Sequence, residues 1–223
     1  PQEAVALNPQ VRLFYKVAWD ALENAGYDSF KGENIIGLYA GAAPSFYWKA
    51  TGLLSSHLQM VGDFQYDLLV EEEHLCTWVA YRLNLQGPAV FCKTACSTGL
   101  VSIHLAAQAL VGGECDMALA GGAQIQFIEY YGYTHQEGMI FSKDGHCRAF
   151  DAGSTGIARG EGCGVVVLKP LQQAYEDGDN IVCIIKGTAI NNDGVRKVGF
   201  TAPSVAGQVE VIKMAQHMAE VEP

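Results

Sequence analysis

Between Cys96 and Gly113 the chain carries no charged residue. The run is Ser-Thr-Gly-Leu-Val-Ser-Ile-His-Leu-Ala-Ala-Gln-Ala-Leu-Val-Gly, apolar on nearly every helical position. Such a helix is expected from Cys96 to Val111, buried on all sides, with Gly112-Gly113 ending it. Before it, Ala89 to Cys92 reads as a short strand. After it, Met117 to Ala120 reads as a second strand, stopped by Gly121-Gly122. Strand, helix and strand over this length form a βαβ unit, so the two strands should be parallel and the crossover right-handed. An α/β chain is the consequence.

The rest of the chain fits that class. Asn8-Pro9 marks a helix start, and Val11 to Ala25 follows with an apolar stripe at Leu13, Val17, Ala18, Ala21 and Leu22. Gly26 is a natural C-terminal cap. Strands are expected at Ile35 to Ala40, Gly164 to Leu168 and Ile181 to Ile190. Helices are expected at His74 to Leu85, Pro170 to Glu176 and Val205 to Ala219, the last capped by Ser204. Residues 44 to 74 read as short helices and loops, and Ile125 to Phe150 as an irregular excursion rich in aromatics (Phe127, Tyr130, Tyr131, Tyr133). Asn192-Asp193-Gly194 reads as a turn.

Half of the residues are apolar (49%) and 17% are charged, so a large core is available and disorder is not expected. The net charge of −10 is spread without a Lys/Arg cluster, which argues against a nucleic-acid partner. No apolar run reaches the ~18 residues of a membrane span. Seven cysteines form an odd set in a long chain, and most lie in apolar runs, so a disulfide scaffold is not expected. A reduced, soluble, cytoplasmic protein is the expectation.

Cys96 lies at the strand–helix junction. The unpaired N–H groups of a helix start stabilise an anion there, whether a thiolate or the oxyanion formed when it attacks a carbonyl. Thr94, Ala95, Ser97 and Gly99 are small and leave room for a substrate. On position alone, a merely buried cysteine is the commoner outcome. Two other chemistries share the geometry. A nucleophile elbow would need glycine where Thr94 stands, with a later histidine such as His135, His146 or His217. A zinc site would draw on Cys92, Cys96, His146 and Cys147, but no Cys-x-x-Cys pair exists, so no metal site is assigned. The glycines of Gly160-Glu161-Gly162-Cys163-Gly164 precede a strand and not a helix, so they are read as packing glycines. His104 is read as a satisfied core histidine.

Several blocks in order carry a resemblance. Thr94-Ala95-Cys96-Ser97-Thr98-Gly99-Leu100 resembles the active-site motif of β-ketoacyl synthase domains of modular polyketide synthases. Asn8-Pro9-Gln10-Val11-Arg12-Leu13, Tyr81-Arg82-Leu83-Asn84-Leu85-Gln86-Gly87-Pro88 and Gly113 to Gly122 resemble the segments flanking that motif. Asp144 to Asp151, Arg159 to Gly162, Asn191 to Gly194 and Gly199 to Ser204 extend the likeness over essentially the whole chain. The last two blocks resemble synthases of trans-acyltransferase or mixed peptide–polyketide assembly lines. Lys93 stands where the family more often has Asp, and Asn8 where Asp is usual. Lys93 is expected to point to solvent.

The resemblance implies a thiolase-like fold of α-β-α-β-α layers, present in part. Residues 1–180 would be the N-terminal half without its first strand, and residues 181–223 the start of the C-terminal half. It implies acyl transfer from the phosphopantetheine of an acyl carrier protein onto Cys96, whose own N–H is also an oxyanion donor. Decarboxylative Claisen condensation with a malonyl-type extender would follow, with no cofactor bound in this domain. Condensation in the family uses two histidines, in a His-Gly-Thr-Gly-Thr block and an Asn-x-Gly-His block that these residues do not contain. These residues alone are therefore expected to accept an acyl group but not to condense. A homodimer joined along Ala89 to Lys93, other domains of the same synthase as neighbours, and an acyl-pocket wall at Gln136 to Ser142, including Gln136 and Met139, are further implications. A non-elongating synthase that only holds acyl chains and a cysteine hydrolase of the α/β type are the alternatives.

Overall fold

The computed structural model describes residues 2–55, 61–125 and 132–222. Its centre is a four-stranded sheet in the order β2-β1-β3-β4, formed by β1 (Ile36–Ala42), β2 (Ala89–Phe91), β3 (Met117–Gln124) and β4 (Gly162–Leu168). β1 pairs in parallel with β2, Leu38 opposite Ala89, and with β3, Ile36 opposite Met117. β4 joins antiparallel, Ala118 opposite Leu168. β2 and β3 are thus parallel as expected, but β1 lies between them.

Strand β1 is buried along its whole length, which is why it reads as an unbroken apolar run. The pleat divides its side chains between two cores. Ile36, Leu38, Ala40 and Ala42 face helices α2 (Pro9–Ala25) and α5 (Leu75–Leu83), meeting Val11, Phe14, Leu22, Leu75, Val79 and Leu83. Tyr39 faces the other way, with Ala118 and Ala120, onto Ala106 and Ala109 of α6 (Thr98–Val111). Burying each large aliphatic side chain contributes roughly 1.5–3 kcal/mol.

The start of α2 follows from Asn8. Its Oδ1 accepts from Gln10 N at 3.0 Å, and Pro9 takes the first helical position. Gly26 ends the helix in the left-handed region. The buried line on α2 is Val11, Phe14, Ala18 and Leu22; Leu13, Val17 and Ala21 only flank it. A short α1 (Gln2–Ala6) precedes it, and α3 (Phe46–Leu54) and α4 (Asp63–Val70) occupy the region expected to hold short helices. A 3₁₀ turn at Glu72–His74 leads into α5, which Asn84 caps with φ +54°. After the sheet come α7 (Leu171–Glu176) and α8 (Val205–Met218), where Ser204 Oγ accepts from Gly207 N at 3.2 Å. Of the irregular excursion, Phe127, Tyr130 and Tyr131 lie outside the described residues. The described remainder is irregular, with one bridge between Phe141 and Ile157.

Two expectations fail. Ile181 to Ile190 forms no strand: no neighbouring segment pairs with it among the described residues, and Val182 is 88% exposed. Apolar β-branched residues do not make a strand without a ladder partner, and Asn192-Asp193-Gly194 therefore closes an isolated Asx turn rather than a hairpin. Helix α6 is not buried on all sides. Ser102, Ala106 and Ala109 face the sheet, while Leu100 and Val111 are exposed. The sheet covers one face only.

Burial pushes the Cys76 thiol up to about 12, the Cys163 thiol up to about 11 and the Tyr39 phenol up to about 12. The fold favours the neutral forms, so their contribution is complete below the unfolded values of roughly 8.5 for thiols and 10 for phenols and is lost as pH rises toward the folded ones. Denaturant unfolding under reducing conditions should give a midpoint that is level up to about pH 8 and falls steadily above about 8.5. A flat profile to pH 11 would contradict this reading of Cys76 and Cys163.

Candidate active site

The C-terminal ends of β1, β2 and β3 point the same way, and ligands in open α/β sheets lie in the crevice outside those ends. Here that crevice is a hollow of about 450 Å³. One wall is the end of β1 with its exit, Gly41 to Pro44. Another is the end of β3, Gly122 to Gln124, with Gly162 of β4 beside it. The third is Lys93, Ala95, Cys96, Thr98 and Gly99.

Cys96 stands in a 3₁₀ turn, Ala95–Ser97, one step before α6, not in the helix itself. Ala95 takes φ +54°, a left-handed conformation unusual for a residue with a Cβ. Local hydrogen bonds hold the turn there. Thr98 Oγ1 accepts from Thr94 N at 2.9 Å and donates to Ala95 O at 2.8 Å, and Ser97 Oγ donates to Thr94 O at 2.8 Å. No side chain caps either the turn or the start of α6; within the turn Ser97 N donates to Thr94 O at 3.4 Å and Thr98 N to Ala95 O. The Cys96 thiol is exposed.

Cys92, four residues earlier, has the opposite fate. It is buried, and its Sγ lies 3.0 Å from Ser102 Oγ. The two cysteines thus differ in burial, Cys92 inside the fold and Cys96 at its surface. Among the described residues no cluster of metal-binding side chains occurs.

The segment from Cys92 to Thr98 packs closely on β1 at Gly41. A Cβ on Gly41 would lie 2.0 Å from Cys92 O and 2.5 Å from Thr98 Cγ2, so only glycine fits. The glycines of the 160–164 loop behave differently from expectation. Gly160, Gly162 and Gly164 have open space at the Cβ position, while Gly121 is the crowded one, 2.2 Å from Gly164 O.

A buried polar network unforeseen from the sequence supports two walls of the hollow. Asn8, Gln10 and Ser45 are all buried. Gln10 Nε2 donates to Ala43 O and to Ser45 Oγ, each at 2.7 Å, and Gln10 Oε1 accepts from Ile125 N at 3.2 Å. Asn8 Nδ2 donates to Ser45 Oγ at 2.9 Å and to Val70 O at 3.0 Å, which a carboxylate at this position could not do. The exits of β1 and β3 are therefore held by one glutamine. The only sequence signal was a polar pair at the head of an otherwise amphipathic helix.

Lys93 does not simply point to solvent. Its Nζ lies 3.0 Å from Oε1 of the buried Glu72. Gln136 and Met139 are exposed and do not line the hollow. Neither do His135, whose Nδ1 lies 2.9 Å from Phe141 O, nor His146, which sits by Asp144. No elbow-type histidine is therefore brought to Cys96 among the described residues. His104 is half-buried and satisfied, its Nδ1 2.9 Å from Thr188 Oγ1. A second hollow of about 450 Å³ between α1, α2 and α5 holds Arg82 stacked on Trp78 and paired with Glu3, and contains no nucleophile. No helix among the described residues is long and apolar enough to cross a membrane.

Two outcomes test this architecture. Gly41→Ala should lower the unfolding midpoint by the equivalent of about 1–3 kcal/mol through overpacking against Cys92. Gln10→Leu leaves Ala43 O and Ile125 N without partners and should cost about 2–5 kcal/mol in denaturant titration. A loss within about 0.5 kcal/mol in either would show the contact to be dispensable.

Residues 1–174 match the family model of the β-ketoacyl synthase N-terminal domain, and residues 182–223 that of its C-terminal domain. The chain is 40% identical over its whole length to a phenolphthiocerol/phthiocerol polyketide synthase of Mycobacterium tuberculosis, spanning 15% of that protein. It is 38% identical over its whole length to polyketide synthase PksN of Bacillus subtilis, spanning 4% of it. A crystal structure of ketosynthase twelve of the bacillaene polyketide synthase from Bacillus amyloliquefaciens superposes with a TM-score of 0.89 at 38% identity, over 98% of this chain and 38% of that one. The sheet and its helices are thus part of a thiolase-like fold. The chain belongs to the β-ketoacyl synthase family, among the ketosynthase domains of modular polyketide synthases.

Proposed function

We propose that Cys96 is the acyl acceptor of a polyketide chain-extension reaction. The observation that carries the proposal is an exposed thiol on a strained turn, at a hollow on the carboxyl ends of three parallel strands. The thiolate attacks the thioester carbonyl of an acyl group carried on the phosphopantetheine of an acyl carrier protein. Backbone N–H groups of the turn, that of Cys96 among them, receive the oxyanion. The carrier thiol leaves with a proton, and the acyl group stays on Cys96. In the whole protein a malonyl-type thioester then loses CO₂, its carbanion attacks the acyl-cysteine carbonyl, and the Cys96 thiolate is released as the β-ketoacyl chain forms on the carrier.

The domain needs no bound cofactor for this. Its partners are the carrier protein, the other domains of the same synthase and a second copy. For the second copy the support is the edge position of β2, whose Val90 is exposed. All seven cysteines are free, in keeping with a reducing cytoplasm. For Gln136 and Met139 the support is the family likeness alone, and their part requires an acyl chain that runs beyond the hollow.

Incubation with an acyl-carrier thioester, followed by intact mass measurement, should show one acyl adduct, lost in Cys96→Ala. Persistence of the adduct in Cys96→Ala would refute the assignment, and hydrolysis without transfer would favour a hydrolase. These 223 residues alone should acylate without forming a carbon–carbon bond. In the intact protein, Met139→Ala should change acyl-chain preference; an unchanged preference leaves Met139 without a role.

A further inference from the structure

Glu72 is a carboxylate at 3% exposure, and it sits between two lysines. Lys93 Nζ lies 3.0 Å from its Oε1, and Lys49 Nζ lies 3.2 Å from its Oε2. Lys49 is also paired with Glu71. Of the two lysines, only Lys93 reaches the Cys96 hollow. Lys93 lines the hollow itself, three residues before Cys96, in the link from β2 to the strained turn. Lys49 is in α3, the helix that begins right after the Ala43-Pro44 wall.

An exposed ion pair orders little, and the Lys93 side chain is 42% exposed. The other partner decides the matter. A buried carboxylate cannot be left unpaired without a large penalty, so Glu72 holds its cations in place. Burial pushes the Glu72 carboxyl up, but Lys93, the Glu72 backbone N–H and Lys49 together hold it below the ordinary carboxylate range. Lys49 has Glu71 as a second partner. Lys93 leans on Glu72 alone among the described residues.

We infer that Glu72 and Lys93 are positioning residues for acyl transfer: the buried carboxylate clamps the Lys93 link to helix α3 and so fixes where the turn presents Cys96. The inference rests on Cys96 being the acyl acceptor. Neither side chain donates or accepts a proton in the reaction. Their effect is geometric, and a displacement of the nucleophile by ~1 Å costs up to ~100-fold in rate.

The test is the rate of acyl loading from an acyl-carrier thioester in the intact protein carrying this chain, measured beside alkylation of Cys96 by iodoacetamide. Glu72→Gln and Lys93→Met should each lower the saturated loading rate by ~10- to ~100-fold with KM changed less than about twofold. Lys93→Arg, which keeps the pairing, should retain most of the rate. Because Glu72→Gln could impair folding, the double variant Glu72→Leu/Lys93→Met removes both charges together, and Lys49 keeps Glu71. It should unfold at the wild-type temperature or above, stay open to iodoacetamide, and still load slowly. A stable double variant that loads at the wild-type rate overturns the inference while leaving Cys96 as acceptor. A wild-type protein that alkylates at Cys96 yet never loads overturns the acceptor reading and this inference with it.

Discussion

The contact on which the site depends is the close packing of Gly41 of β1 against Cys92 O and Thr98 Cγ2, on either side of the turn that carries Cys96. Position 41 allows no side chain, because Cys92 O lies where a Cβ would be. That contact holds the segment carrying Cys96 close against the central strand. Everything else around the hollow is arranged relative to β1. β2 and β3 take their register from it, and α2, α5 and α6 bury it from both faces. The small residues Gly41, Gly122 and Ala123 line the hollow at the strand ends.

Four of the buried polar side chains, Asn8, Gln10, Ser45 and Glu72, lie beside the elements that form the hollow. A buried amide or carboxylate is costly unless fully paired, and once paired it holds its partners in one arrangement. Gln10 directs its side-chain amide at the exits of β1 and β3. Glu72 ties the link after β2 to α3. Apolar packing alone would fix the sheet but leave these exits free to shift, since loops bury little apolar surface. The chain places its few buried polar side chains at the points that packing does not specify.

Much of this was legible in the sequence, for identifiable reasons. α2, β1, the strand–turn–helix around Cys96 and β4 each combine a clear period with a cap or a glycine stop. What failed was whatever depends on a distant partner. Ile181 to Ile190 has strand composition, but composition does not supply a ladder. α6 is apolar all round, yet only Ser102, Ala106 and Ala109 are fully buried, with Ile103, Leu105 and Leu110 partly so. Lys93 read as a surface lysine because its partner, Glu72, lies 21 residues away in an acidic run that looks solvated. Gln10 looked like an ordinary first-turn residue. Long-range pairing of single polar side chains leaves no periodic trace, so motif order could identify Cys96 but not what holds it.

The contrast between two cysteines four residues apart shows how local geometry assigns chemistry. Cys92 ends a strand, is buried, and faces Ser102 inside the fold. Cys96 has the same side chain and is exposed at the hollow. Between them the chain turns through Ala95 at φ +54°, locked by the hydroxyls of Thr98 and Ser97. Had the segment continued as a regular helix from Cys92, residues i and i+4 would share one face, and both thiols would point the same way. The left-handed residue breaks that relation. It sends the second sulfur outward to the hollow at the mouth of α6, while the first stays inside the fold.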